Sequence, residues 1–401
     1  MSGIVIIGAG QAGSSLAIKL RALGYQGTVT LIGEEPYAPY QRPPLSKTYL
    51  LGEMALERLY LRPEEVYRDQ NIELRLGTQV TAIDPVAQVI SLGAETLSYD
   101  QLALTTGSTP RLLPEAIGGR LQNVFAVRGL ADVDAMRPAF ERGGHVLIIG
   151  GGYIGLEAAA VAAKRGLKVT LVEMADRILQ RVACAQTSDY FRALHQSHGV
   201  TLLEGVGLSS LTGTDHVTAA ILSNGTTLDI DFALVGVGIQ PNTQLADAAG
   251  LTLNNGIDTN ALGQTSQSKI WAAGDCASFP YQGERIRLES VPNAIDQAEV
   301  VAANMLGAQK AYHATPWFWS DQYDVKLQIA GLNQGFENVV TRIGEAGRSH
   351  WYYKAGQVLA VDAMNDPRAY MVAKRLIEAG KTADPALVAD PGSDLKALLR
   401  G

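Results

Sequence analysis

The chain has 401 residues, of which 47% are hydrophobic, enough to bury more than one core, so two or three domains are expected. A formal net charge of −7 argues against nucleic acid or an anionic membrane as partner, and no run approaches the ~18 apolar residues of a spanning helix. The chain therefore reads as soluble and cytoplasmic. Cys184 and Cys276, the two cysteines, form no C-x-x-C pair, which excludes a thioredoxin-type dithiol and a cysteine-rich zinc or iron–sulfur site; no metal is expected.

Residues 3–32 predict strand, glycine loop, helix and strand. Ile4-Val5-Ile6-Ile7 leads into Gly8-Ala9-Gly10-Gln11-Ala12-Gly13, a helical pattern runs from Ser14 to Leu23, and Val29-Thr30-Leu31-Ile32 follows. Glycines so soon after the apolar run rule out a signal peptide. In G-x-G-x-x-G the glycines permit a tight turn and let backbone N–H groups reach a pyrophosphate at the helix N-terminus. Glu34, about 20 residues past the loop, stands where a ribose-binding acid belongs. The prolines of Pro36-Tyr37-Ala38-Pro39-Tyr40-Gln41-Arg42-Pro43-Pro44-Leu45-Ser46-Lys47 then enforce a stiff excursion until Ser46 caps a helix. Lys47 has two readings, an ammonium beside a cofactor or a solvated lysine in a helix's first turn.

Short strands are expected at 73–76, 80–83 and 88–91, and the apolar run 102–104 before Thr105-Thr106-Gly107 leaves the first nucleotide domain. The pattern then repeats. His145-Val146-Leu147-Ile148-Ile149 enters Gly150-Gly151-Gly152-Tyr153-Ile154-Gly155-Leu156-Glu157, an alanine-rich helix follows, and the strand 169–172 ends at Glu173. Two fingerprints mean two dinucleotides. An acid at the second strand end suits a free ribose 2′-hydroxyl and repels a 2′-phosphate, favouring NADH over NADPH, with Arg177 nearby as the opposing signal.

Residues 233–242 mirror the first exit and return the chain to the first domain. The strand 270–273 meets Gly274-Asp275-Cys276-Ala277, where a helix N-terminus and one carboxylate are expected to close over the tail of a bound flavin; the alternative is a plain turn with an N-cap. Cys276 reads as a small buried hydrophobe rather than a reactive thiol. A helix is expected over 294–306. From Pro316, Trp317-Phe318-Trp319-Ser320-Asp321-Gln322, strands at 325–329, 339–343, 350–353 and 358–361, and a helix near 369–379 make an α+β domain of about 85 residues. The tail from Asp384 reads as mostly irregular until a last short helix. The expected fold is thus α/β: a discontinuous FAD-binding domain (1–108 and 238–315), an NAD-binding domain (109–237), both Rossmann-like, and a C-terminal α+β domain (316–401).

Two fingerprints, a Thr-Gly exit and a late Gly-Asp together resemble the two-dinucleotide-binding-domain flavoproteins of glutathione-reductase-like fold. More narrowly, Pro43-Pro44-Leu45-Ser46-Lys47, 150–157, Glu289-Ser290-Val291-Pro292-Asn293-Ala294 and above all 316–322 resemble the NADH-dependent ferredoxin reductases of the putidaredoxin reductase and aromatic-ring dioxygenase type, from Ile4 to about Asp366. The resemblance implies FAD on Gly8, Gly10, Ala12, Gly13, Glu34, Lys47, Val80, Arg128, Asp275 and Val291, with Trp319 against the flavin. It implies NADH along Gly150, Gly152, Ile154, Gly155, Glu157, Glu173 and Gly238. Lys47, Glu157 and Trp319 are the candidate catalytic residues; Glu157 also reads as an ordinary helix carboxylate, and Trp319 as a core anchor. Glu299 departs from relatives in which a basic residue there would help dock an acidic partner.

Without a dithiol, a hydride from NADH to the flavin must leave as single electrons. The resemblance implies a small acidic [2Fe–2S] ferredoxin as acceptor, serving a cytochrome P450 or a Rieske-type oxygenase, hence a ferredoxin–NAD(+) reductase acting as monomer or weak homodimer. Docking candidates are Arg62, Arg285, Arg287, Lys310, Lys326, Lys374 and Arg375, each also readable as a solvated charge. The alternatives are an NADH:rubredoxin reductase or diaphorase, and an NADH-sensing flavoprotein in the manner of apoptosis-inducing factor.

Overall fold

Strands buried on both faces read as unbroken apolar runs, because a parallel sheet is covered by helices on each side. Ile4–Ile7 and Val29–Ile32 are buried at every position. In the computed structural model, which describes residues 3–345 and 347–400, they pair in parallel with Ile4 opposite Val29. The chain divides into two compact units, one of Met1–Arg42, Met54–Thr109 and Ile239–Pro316, the other of Pro43–Glu53, Pro110–Gly238 and Trp317–Gly401.

The first unit is built on a five-stranded parallel sheet in the order Ile270–Ala272, Gln101–Leu104, Ile4–Ile7, Val29–Ile32, Ile72–Arg75. The helices Gln11–Ala22 and Val291–Met305 cover one face, sharing a core with Leu16, Leu20, Leu31, Ala298 and Val301. A separate three-stranded antiparallel sheet (Ala82–Asp84, Val89–Leu92, Glu95–Ser98) packs on the parallel one, Ile83 and Ile90 sharing a core with Val5, Ile7, Leu102 and Leu104. The two exits of the chain are cross-braced: Thr106 Oγ1 donates to Asn242 O at 2.7 Å, and Asn242 Nδ2 to Thr106 O at 2.8 Å.

The second unit repeats the design with the order Thr201–Glu204, Lys168–Glu173, His145–Ile149, Phe232–Val235, Val124–Phe125 and the helix Tyr153–Lys164. It also contains a five-stranded antiparallel sheet, Trp317–Gln322, Val325–Gly331, Gln357–Met364, Arg348–Lys354, Asn338–Ile343, packed under the helix Pro367–Glu378. The fold is α/β with two Rossmann-like sheets and a C-terminal α+β portion.

Two local expectations fail. No helix starts at Asp275: Gly274-Asp275-Cys276 is a turn into the strand Ala277–Tyr281. The nearby helix is Val291–Met305, capped by Ser290, whose Gln297 Oε1 accepts from Gly274 N at 2.8 Å. Nor does Ser46 cap a helix. Leu45–Tyr49 is a single wide turn in which Lys47 has φ −132° and ψ −111°, outside helical geometry, because Pro43 and Pro44 fix the approach and remove two N–H donors. Unforeseen were the antiparallel sheet 208–229 and the helix Ala185–Ser197, which docks on the C-terminal sheet. The expected irregular tail begins instead with the short helix Pro385–Ala389.

Candidate functional site

The two glycine loops show the same division of labour. A Cβ on Gly8 (φ +111°) would lie 2.2 Å from Thr105 O, and one on Gly13 would lie 2.0 Å from Gly8 O. In the second loop, Gly150 (φ +109°) would meet Gly236 O at 2.4 Å and Gly155 would meet Gly150 O at 2.0 Å. These four glycines let the helix close on its strand. The middle ones, Gly10 and Gly152, face open space, and each is the N-cap of a helix with no side-chain cap and no acid in its first turn. Each unit therefore keeps uncapped helix N–H groups beside a cleared approach, which fits a dinucleotide pyrophosphate.

The two acids sit differently. Glu173 ends its strand and is engaged with the loop: Oε2 accepts from Gly151 N at 2.7 Å and Oε1 from Ala175 N at 2.8 Å. The strand registers, Ile7 opposite Ile32 and Ile149 opposite Val172, make Gly33 its counterpart in the first unit. A Cβ there would collide with Ala9 Cβ at 2.7 Å, and Glu34, one residue later, is exposed. Arg177 is turned inward, donating to Ser188 Oγ at 2.6 Å and to the carbonyls of Cys184 and Gln180. Gly238 (φ +103°) follows the strand Phe232–Val235, Ile154 is exposed on the first turn behind Gly152, and Arg128 precedes the helix Leu130–Arg142.

In the first unit, Ala12 positions the Gly274 turn, since a Cβ on Gly274 (φ +82°) would lie 3.0 Å from Ala12 Cβ. Asp275 Oδ2 accepts from Ser108 Oγ at 2.8 Å, and its carbonyl from Arg287 at 3.1 Å. Val80 is buried just before the strand Ala82–Asp84, and Val291 is the first residue of its helix. A group that sequence reasoning passed over is Arg42, whose guanidinium meets Glu35 Oε1 at 2.5 Å, while Tyr40 OH donates to the other carboxylate oxygen. Its signal was an arginine set directly before Pro-Pro.

Lys47, Glu157 and the Trp-Phe-Trp strand come together in the second unit. Lys47 Nζ is 3.0 Å from Glu157 Oε1 and 3.5 Å from Asp321 Oδ2. Ser320 Oγ donates to Glu157 Oε1 at 2.7 Å and Ser46 Oγ to Oε2 at 3.4 Å. Burial raises the Glu157 carboxyl above its ordinary range, while Lys47 and Ser320 offset part of that rise. Strand alternation puts Trp317, Trp319 and Asp321 on one face and Phe318, Ser320 and Gln322 on the other. Trp319 is half-buried and lies 5.6 Å from Trp317 between ring centroids; Phe318 packs on Tyr153 at 5.1 Å. Among the basic docking candidates, Arg285, Arg287 and Lys374 are paired with Asp258, Glu289 and Glu378. Arg62, Lys310, Lys326 and Arg375 are exposed.

Doubled dinucleotide cradles and a half-buried lysine paired with a buried carboxylate define a two-nucleotide flavoprotein oxidoreductase. Comparison with known proteins narrows the class. Residues 2–298 match the pyridine nucleotide-disulphide oxidoreductase family model and residues 317–399 the reductase C-terminal model. Putidaredoxin reductase of Pseudomonas putida is 41% identical over 99% of this chain and 96% of its own, and rhodocoxin reductase of Rhodococcus erythropolis 40% over 98% and 93%. A chain in the crystal structure of the covalent putidaredoxin reductase–putidaredoxin complex superposes with a TM-score of 0.95 at 39% identity, covering 100% of this chain and 98% of that one. The chain belongs to the pyridine nucleotide-disulphide oxidoreductase family, within its ferredoxin–NAD(+) reductases, and its cofactors are FAD and NAD(H).

Proposed function

We propose that this enzyme passes electrons from NADH through FAD, one at a time, to a small acidic [2Fe–2S] ferredoxin feeding a cytochrome P450 or Rieske-type oxygenase. The observation that carries the reading is the pair of cradles without a dithiol: Cys184 and Cys276 are free, buried and in different units. FAD, when bound, supplies the conversion of a hydride into single electrons. The protein's part is to bind, orient and shield.

Gly8, Gly10, Ala12, Gly13, Glu34, Lys47, Val80, Arg128, Asp275, Val291 and Trp319 would hold FAD. Gly150, Gly152, Ile154, Gly155, Glu173 and Gly238 would hold NADH. This reading keeps the division into an FAD-binding domain (1–108 and 238–315), an NAD-binding domain (109–237) and a C-terminal domain (316–401). Glu173 disfavours a 2′-phosphate, and Arg177 has three of its five N–H donors committed to Ser188 and two carbonyls. Lys47 sets a positive charge against Glu157, Asp321 restrains it, and Trp319 provides a flat shield. A small, transient ferredoxin contact suits the exposed cations Arg62, Lys310, Lys326 and Arg375 on an otherwise acidic protein.

The test is purification followed by stopped-flow reduction and an acceptor screen. One FAD per chain, faster reduction by NADH than NADPH, and cytochrome c reduction through [2Fe–2S] ferredoxins are expected. Transfer to rubredoxin alone would favour the rubredoxin reductase reading. A long-lived nucleotide complex that reduces neither carrier would point to a sensor.

A further inference from the structure

Glu157 and Lys47 stand at the end of a polar chain that the proposed reaction does not use. Ser320 Oγ, which donates to Glu157 Oε1 at 2.7 Å, accepts from Gln322 Nε2 at 3.1 Å. Gln322 Oε1 is 2.8 Å from His195 Nε2, and His195 Nδ1 is 3.1 Å from the Tyr323 hydroxyl. Ser320, Gln322 and His195 are all 0% exposed, so each must satisfy its polar atoms within the protein.

A carboxamide has one accepting end and one donating end. Gln322 accepts from His195 only when the ring carries its proton on Nε2; its NH2 then faces Ser320, and the serine proton is left for Glu157. Burial pushes His195 down to about 4, so the ring is neutral and has a single N–H to place. The opposite polarity would turn every link round: Ser320 would donate to the amide oxygen and accept from a protonated Glu157. The two directions of the chain thus match the two protonation states of one carboxyl. Among the described residues, the charged groups acting on Glu157 are Lys47, from the turn Leu45–Tyr49, and Asp321, from the strand Trp317–Gln322.

We propose that Gln322 and His195 are positioning residues for the redox reaction: acting through Ser320, they hold Glu157 ionised and so keep the Lys47 ammonium on its carboxylate. The inference rests on the reading that Lys47 and Glu157 serve the flavin.

The experiment measures the pH dependence of flavin reduction by NADH in Gln322→Leu, Ser320→Ala and His195→Phe, together with the Glu157 carboxyl carbon shift by NMR in the FAD-free protein. Removing the donor that directs Ser320 raises the Glu157 pKa, because the hydroxyl is then free to accept as well as donate. The acid limb is expected to move up by about one pH unit in Gln322→Leu, at least as far in Ser320→Ala and less in His195→Phe, with the carboxyl titration moving in parallel. Ring 15N shifts of His195 in the unmodified protein should show the Nε2–H tautomer throughout. Thr187→Val, which loosens the same helix without touching the chain, should leave the limb in place. An unmoved limb and carboxyl titration in Gln322→Leu, an Nδ1–H tautomer, or an equal shift in Thr187→Val would overturn the proposal. If Glu157→Gln leaves the pH profile of NADH reduction unchanged while FAD still binds, the underlying reading of the site fails instead.

Discussion

At the scale of single residues, the glycine loops separate packing from ligand access. Gly13 cannot carry a methyl group, since a backbone oxygen lies 2.0 Å from where it would go, whereas Gly10 has nothing within 4 Å. Gly13→Ala should therefore destabilise the FAD-free protein by about 1–3 kcal/mol, as overpacking against backbone does. Gly10→Ala should leave its stability within about 0.5 kcal/mol and weaken FAD binding roughly tenfold or more, by intruding on the approach to the helix N-terminus. Thermal melts of the FAD-free variants and flavin titrations check the pair. Equal loss of stability in both would mean that the opening at Gly10 is not a binding surface. Glu173 adds a second residue-scale point: its carboxylate already braces Gly151 and Ala175, so it both shapes the loop and presents charge there.

At the scale of elements, the helix Ala185–Ser197 is fastened to the C-terminal sheet by buried polar groups. Thr187 Oγ1 donates to Asp362 Oδ2 at 2.7 Å and lies 2.8 Å from His350 Nδ1, while Tyr352 OH donates to the same carboxylate oxygen. Burial lowers both His195 and His350 to about 4. A histidine depressed in the folded state stabilises above its unfolded value of about 6.5, and that contribution is lost as pH falls through 4; each is worth about 3 kcal/mol. Burial raises Asp362 to about 6, which works oppositely: its contribution is present at low pH and lost as pH rises through 6. At this junction two histidines act against one acid, so its contribution to stability should fall between pH 6.5 and 4. His350→Gln should flatten that fall in urea titrations at stepped pH. A variant as acid-sensitive as the parent would place the sensitivity elsewhere.

At the scale of the whole molecule, no helix of the described residues is long and apolar enough to cross a membrane. The two cysteines lie one in each unit. Cys276 is fully buried, with its Sγ 3.5 Å from the carbonyls of Leu104 and Ala273, and burial pushes its thiol up, away from the reactive thiolate. Cys184 packs against Thr187 at 3.4 Å. The double variant Cys184→Ser, Cys276→Ser should bind FAD and reduce ferricyanide with NADH within a few-fold of the parent rate. Loss of turnover with FAD retained would restore a thiol to the mechanism.

Local chemistry was enough to read the two strand–loop–helix–strand units, because a parallel strand buried on both faces and a glycine forced by backbone contact each leave their mark on consecutive residues. The tryptophan-rich segment was legible as a motif, but that it is a strand with Ser320 and Gln322 on one face came from the fold. Other features depend on partners distant in the chain. Gly274-Asp275 looked like a helix start because its helix neighbour comes from residues 291–305, and Lys47 looked helical because the effect of Pro43 and Pro44 on the next turn is geometric rather than compositional. Gln322 is an ordinary polar residue until the fold sets His195, 127 positions away, against it. Spacing along the chain was enough to propose which residues bind a nucleotide; only tertiary packing decided which polar groups are buried together, and hence which must answer to one another's protons.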